Sequence, residues 1–203
     1  MVRTIILLNI IVFGLWSIAD GALFEFMAGN FLVSTMHLLF GRYWTLITSV
    51  FSHNMFFHLL VNMFAFYGFG LALEAIMGSR RFLIFYLLAG IFGSLGHCFV
   101  STYFLHNSSI PALGASGAVS GVILLFSLMF PREKILILGI LPIPAIFGAL
   151  LFVAFDIWGV FDQTRGGTLP IGHGAHLGGA LFGLIYYFLI VKRKMRPSEI
   201  EVV

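Results

Sequence analysis

Apolar residues in this chain fall into long runs divided by short polar punctuation. A helix needs about 20 such residues to cross the hydrocarbon core of a bilayer. Six runs approach that length, at roughly 4–20, 54–74, 82–104, 115–130, 135–157 and 174–191. The fourth, about 16 residues, would reach only about 24 Å at 1.5 Å per residue. Pro131 ends it, and Arg132, Glu133 and Lys134 form a tight polar turn. The fifth contains Leu-Pro-Ile-Pro at 141–144, which predicts a kink or an interruption there. The segment from about 21 to 53 is too long for an ordinary connection. It carries Phe24, Phe26, Met27, Phe31, Leu32, Met36, Leu38, Leu39 and Phe40, which a solvated loop would not. It reads as a hairpin half-embedded in the outer leaflet, its backbone satisfied by short helices. The expected architecture is all-α. A single domain, 1–203, has six transmembrane helices, a long semi-embedded first loop and a basic tail from about 192 to 203.

Composition agrees: 60% of the 203 residues are hydrophobic and 9% are charged. Soluble domains carry about a quarter charged residues, so a soluble fold is excluded and no room is left for a second, soluble domain. The first run begins at Thr4 with only Arg3 before it, and further spans follow, so it reads as a retained helix rather than a cleaved signal. The single cysteine, Cys98, lies within an apolar run and cannot form an intrachain disulfide.

A net charge of +3 would fit a nucleic-acid partner, but its distribution does not. Six spans put both termini on one side. That side receives Arg3, Arg80, Arg81, Arg132, Lys134, Lys192, Arg193, Lys194 and Arg196, which is nine basic residues, against Arg42 and Arg165 on the other. The positive-inside rule then puts both termini in the cytoplasm, with the basic tail a topology anchor that favours anionic lipid. No basic surface is left for nucleic acid.

With that topology the second, fourth and sixth spans all run from outside to inside. The outer end of the second carries His58 and Asn62, four apart and so on one helix face. The outer end of the fourth carries Ser116 within Gly-Ala-Ser-Gly, and that of the sixth carries His173 and His176. A serine and a histidine opening two spans at one depth suggest a nucleophile and its base. Ser116 starts its helix, where unpaired N–H groups and the positive end of the helix dipole would meet an oxyanion. Gly114 and Gly117 clear side chains from the path of a substrate backbone. Gly117 and Gly121 on the fourth span, and Gly179 and Gly183 on the sixth, are G-x-x-x-G pairs that let two helices approach closely and bring His176 towards Ser116.

These residues resemble the rhomboid family of intramembrane serine proteases from about Trp44 to Gly183. Gly114-Ala115-Ser116-Gly117 is similar to the family's G-x-S-G, and Ala175-His176 with Gly179 and Gly183 to its A-H-x-x-G-x-x-x-G. His58 and Asn62 match an H-x-x-x-N pair that helps form the oxyanion hole, and Gly70 to Glu74 resembles the small-and-acidic end of the second span. The resemblance implies a Ser116–His176 dyad just below the outer membrane surface. It also implies single-span membrane proteins as substrates, cut within or beside their transmembrane helix. Two positions depart from it. Trp44 is followed by Thr45 where the family often has Trp-Arg, and Ser120 stands where some relatives place an aromatic residue against the histidine.

No third carboxylate is evident in the sequence; Asp156 and Asp162 fall in the 155–172 connection, on the right side of the membrane, and either one orienting His176 is the alternative to a bare dyad. His53 and His173 read as structural, and Glu74 as a cap or ion-pair partner of Arg80 or Arg81. The histidines do not show His-Glu-x-x-His spacing, so neither a metal nor a cofactor is expected. Rival readings are an inactive relative that binds membrane clients, which would usually lack the serine or the histidine, and a transporter, which would show interrupted helices in both halves. The expected location is a bacterial inner membrane.

Overall fold

The computed structural model describes residues 1–137, 140–167, 169 and 171–194; the expected tail from 195 on, Arg196 included, lies outside the described residues. The helices are α1 (Val2–Ser17), α2 (Gly21–Phe31), α3 (Thr35–Leu39), α4 (Thr45–Thr48), α5 (Phe56–Met77), α6 (Ser79–Tyr103), α7 (Ser116–Met129), α8 (Ala145–Thr164) and α9 (His173–Tyr186). A 3₁₀ turn, Ser49–Phe51, follows α4, and α9 runs on through a π turn at Tyr187–Val191. Among the described residues, four helices are long and apolar enough to cross a membrane: α5, α6, α8, and α9 with its π turn. The apolar helices α1 and α7 are shorter. The protein is an integral membrane protein and mostly helical.

Helices α6, α7 and α9 form the centre, and glycine sets their spacing. A Cβ on Gly121 would stand 2.8 Å from the carbonyl oxygen of Gly179, and one on Gly183 would stand 2.7 Å from that of Gly121. One on Gly117 would lie 3.0 Å from the Gly93 Cα of α6, and one on Gly179 would run into the Gly117 carbonyl. Backbones this close exchange dispersion contacts along their whole length, which is what binds helices in lipid, where burial from water contributes nothing between them. Helix α5 packs beside α7 over Leu59, Met63 and Phe66, with Phe82, Phe85 and Tyr86 of α6 completing the core. Phe57, Phe64, Leu150, Leu151 and Leu181 point outward and are exposed, as lipid-facing side chains are.

Two sequence expectations need correction. The fifth run does not enter a helix at 135. Lys134–Ile137 and Leu141–Pro144 form an antiparallel hairpin, β1–β2, and α8 begins only at Ala145. Leu-Pro-Ile-Pro is thus a strand rather than a kink, and the fold is not purely α. Pro142 and Pro144 cannot donate to a ladder, and a two-stranded hairpin, all edge, tolerates them. Of the two roles expected of Glu74, the cap is found, at the first N–H of α1, and among the described residues the pair with Arg80 or Arg81 is not. Glu74 accepts from the Val2 N–H at 2.8 Å and the Ser79 hydroxyl at 2.6 Å, and it pairs with the Met1 ammonium at 2.6 Å.

The connection from α1 to α5 folds into short helices, as the need to satisfy its backbone requires. It is tied to the bundle by the Thr35–Thr102 hydroxyl pair at 2.7 Å and a Val33–Ala112 bridge. Within it, Arg42 donates to the Gly29 carbonyl at 3.0 Å and the Trp44 indole to Asn30 Oδ1 at 3.0 Å.

Candidate active site

Ser116 is the first residue of α7. The N–H groups of a first helical turn have no intrahelical partner, so Ser116 presents its own N–H and the positive end of the helix. The turn before it is held from three directions. Gly114 has φ +124°, a conformation that side chains rarely adopt, and its N–H donates to the Ser49 carbonyl at 2.9 Å. A Cβ there would meet His58 Cε1 at 2.7 Å. The Ala115 N–H reaches His53 Nε2 at 3.4 Å. His53 lies between the 3₁₀ turn and α5 and is fully buried. Burial, and then the neighbouring His58, lowers its pKa to about 3, so the imidazole stays neutral and its Nε2 stays an acceptor.

His58 and Asn62 sit on the first two turns of α5. Asn62 is buried and donates from Nδ2 to the His58 carbonyl at 2.9 Å. The His58 ring stands edge-on to His53 with centroids 4.9 Å apart. His176 lies in the first turn of α9. Ser116, His176, His58, Asn62, Gly114 and Gly117 all border one cavity of about 1030 Å³. The structure therefore brings the sequence-derived site residues to one place. Gly121, Gly179 and Gly183 lie deeper, in the α7–α9 contact. No hydrogen bond joins Ser116 Oγ to His176 among the described residues. Catalytic hydrogen bonds are often long until substrate is bound.

Two residues of α8 stand against His176: Asp156, which the sequence brought into view but placed in a connection, and Phe152, which it did not single out. Asp156 is not in a connection. It is an interior residue of α8, 1% exposed, and its Oδ1 accepts from His176 Nδ1 at 2.9 Å. The same oxygen lies 2.7 Å from Nδ1 of the buried His173. Asp162, the other acid considered, stands at the end of α8 against Gly167 and makes no hydrogen bond to either histidine. Phe152 stacks on the His176 ring with centroids 5.3 Å apart and planes at 27°. It supplies from another helix the aromatic support that Ser120 lacks; the Ser120 hydroxyl instead donates to the Ser116 carbonyl at 2.7 Å.

Asp156, His173 and His176 also bring three potential metal-ligand atoms within 4.8 Å of one another. Both Nδ1 atoms are already engaged with Asp156 Oδ1, so an ion bound between these three atoms would have to replace both Nδ1 protons.

A family model described as the Rhomboid domain matches residues 40–193. The chain is 34% identical to Rhomboid protein 1, mitochondrial, of Saccharomyces cerevisiae, over 99% of this chain and 57% of that protein. It is 31% identical to RHOMBOID-like protein 12, mitochondrial, of Arabidopsis thaliana, over 97% of this chain and 60% of that protein. A Bacillus subtilis protein, YdcA, named as a candidate rhomboid protease, is 34% identical over 77% of this chain and 71% of its own length. The chain thus spans somewhat more than half the length of the two mitochondrial relatives.

Proposed function

The chain belongs to the rhomboid family, and on that premise we propose that it is an intramembrane serine endopeptidase acting on single-span membrane proteins. The observation that carries this reading is that Ser116 and His176 lie in the first turns of α7 and α9, at the same end of a glycine-tight pair, and border one cavity with His58 and Asn62. Ser116 Oγ attacks the scissile carbonyl as His176 takes its proton. His176 then delivers that proton to the leaving amine as the C–N bond breaks. The Ser116 N–H, His58 and Asn62 hold the oxyanion. No cofactor enters the reaction.

A substrate helix must unwind to offer an extended backbone to Ser116, so cut sites should favour Gly, Pro or Ser nearby and a small residue before the bond. Equal cleavage of a substrate with those residues changed to Leu would remove this preference. The proposed topology has six spans, with α1 and α7 as the two short ones, and the α2–α4 segment lying in the outer leaflet. Both termini lie on the side rich in Lys and Arg, and the site opens to the other. Relatives include mitochondrial and bacterial proteins, so the proposal concerns orientation rather than compartment.

The test is labelling of the purified protein in detergent with a serine-reactive fluorophosphonate, beside Ser116→Ala and His176→Ala, followed by cleavage of a transmembrane substrate in liposomes. Labelling and cleavage of the wild type, lost in both variants, is expected. A folded wild type that neither labels nor cleaves would overturn the enzyme reading in favour of a client-binding protein.

A further inference from the structure

We infer that Asp156 and His173 are a positioning pair that fixes the tautomer and orientation of His176. The inference rests on the reading of Ser116 and His176 as nucleophile and base. A carboxylate oxygen only accepts hydrogen bonds. Asp156 Oδ1 lies 2.9 Å from His176 Nδ1 and 2.7 Å from His173 Nδ1, so both rings carry their proton on Nδ1 and donate to it. That leaves His176 Nε2 with the free lone pair. This is the nitrogen that must take the Ser116 proton, since Nδ1 is occupied.

His173 has no other polar occupation among the described residues. Its ring is fully buried and its Nε2 finds no partner among them. It lies against Gly159, three residues beyond Asp156 on α8, where a Cβ would run into the imidazole. The ring's single polar link is therefore to Asp156. Asp156 Oδ2 is likewise buried and unpartnered. A carboxylate held by His176 alone would be free to turn either oxygen. The second N–H, from the preceding turn of the same helix, selects Oδ1 and keeps it aimed at α9.

During acylation the proton moves from Ser116 Oγ to His176 Nε2 as the Oγ–C bond forms. Asp156 takes no proton: it continues to accept the His176 Nδ1–H and faces the positive charge that develops on the ring. When the C–N bond breaks, Nε2 returns the proton to the leaving nitrogen. The site thus works as Ser116, His176 and Asp156 in line, with His173 behind the carboxylate.

The experiment uses the full chain in detergent, with Asp156→Asn, His173→Ala, His173→Asn and Ser116→Ala. It reads fluorophosphonate labelling, kcat and KM on a transmembrane substrate, the ¹⁵N histidine spectrum and the unfolding midpoint. In D156N kcat is expected to fall by roughly 10²–10⁴, as when a triad carboxylate is lost, with KM little changed. The His176 resonances should lose their Nδ1–H preference. H173A is expected to cost roughly ten-fold, in the range of other supporting-shell losses, and H173N to recover most of it, because its amide N–H can replace Nδ1–H. A role in folding alone would lower the midpoint without moving the tautomer. Wild-type labelling in S116A would overturn the parent reading. With S116A dead, a D156N that keeps the wild-type rate and tautomer would overturn this inference alone. Should D156N not fold, the His173 pair decides, and H173A at the wild-type rate would overturn it.

Discussion

Gly121→Ala is a test of how the scaffold holds the site, because it touches no reacting group. Gly121 is five residues beyond Ser116 on α7, about 7.5 Å along the helix axis. Its new methyl would stand 2.8 Å from the Gly179 carbonyl oxygen and 2.9 Å from Ala89 Cβ. Ordinary carbon contacts lie at about 3.5–4.0 Å, so roughly 0.7 Å of separation is missing on two sides at once. The obstacles are the backbone of α9 and a Cβ of α6, and neither can swing away as a long side chain would. Overpacking of this kind costs about 1–3 kcal/mol. It also pushes α9 outward at Gly179, three residues from His176. A misplacement of about 1 Å at a reacting pair can cost on the order of 10² in rate. The expected outcome is a lower unfolding midpoint in detergent and fluorophosphonate labelling slowed by about 10- to 100-fold. G121A with the wild-type midpoint and labelling rate would refute the claim that the α7–α9 contact sets the Ser116–His176 geometry.

Further outcomes follow from the same geometry. Gly114→Ala must both adopt φ +124° and displace the His58 ring from 2.7 Å, so labelling should fall more than stability does; an active G114A would exclude His58 from the site. Phe152→Leu removes a ring stacked 5.3 Å from His176, and the loss of about 0.5–1.5 kcal/mol should slow labelling roughly 2- to 10-fold, read by the same assay. His53 has its pKa lowered from 6.5 to about 3, so between these values the unfolded chain binds a proton that the folded one refuses. Its contribution to stability is present above the unfolded value and is lost as the pH falls, by at most about 1.4 kcal/mol per pH unit for one proton. Chemical unfolding at several pH values should show a shallower acid slope in His53→Gln; an unchanged slope would exclude His53 as the group responsible.

The long spans and the Ser116, His176, His58 and Asn62 constellation were legible because run length and i, i+4 spacing carry over directly into helices and faces. One error of register accounts for most of what was not. Ile135 to Pro144 is a continuous apolar run, and such a run does not separate a helix from a strand. Its β-branched residues are the signal that favoured strands, and its paired prolines count against a helix running through them. With the fifth span set at 135–157, ten residues too early at its start and seven too early at its end, Asp156 fell where span and connection meet instead of inside a helix that runs from Ala145 to Thr164. The acid was in view, but on the wrong kind of element. Phe152 was hidden for a different reason, since nothing local says which helix will place a ring on His176.

Two of the side chains that hold the base come from one helix. Phe152 and Asp156 are four residues apart on α8, so the stacked ring and the carboxylate occupy adjacent turns of the same face. Ser116 belongs to α7, within the glycine-tight centre, whereas the other side of α8 exposes Leu150, Leu151 and Trp158. Nucleophile and base thus both belong to the glycine-tight centre, on α7 and α9, whereas the two α8 side chains that hold the base's ring sit on a peripheral helix in touch with its surroundings. Lateral pressure on α8 becomes an input to the chemistry: what moves that helix detunes the histidine without altering a catalytic atom. Labelling rates in nanodiscs of graded acyl-chain length should therefore vary for the wild type. Rates that did not change with thickness would mean that α8 is held as firmly as α7.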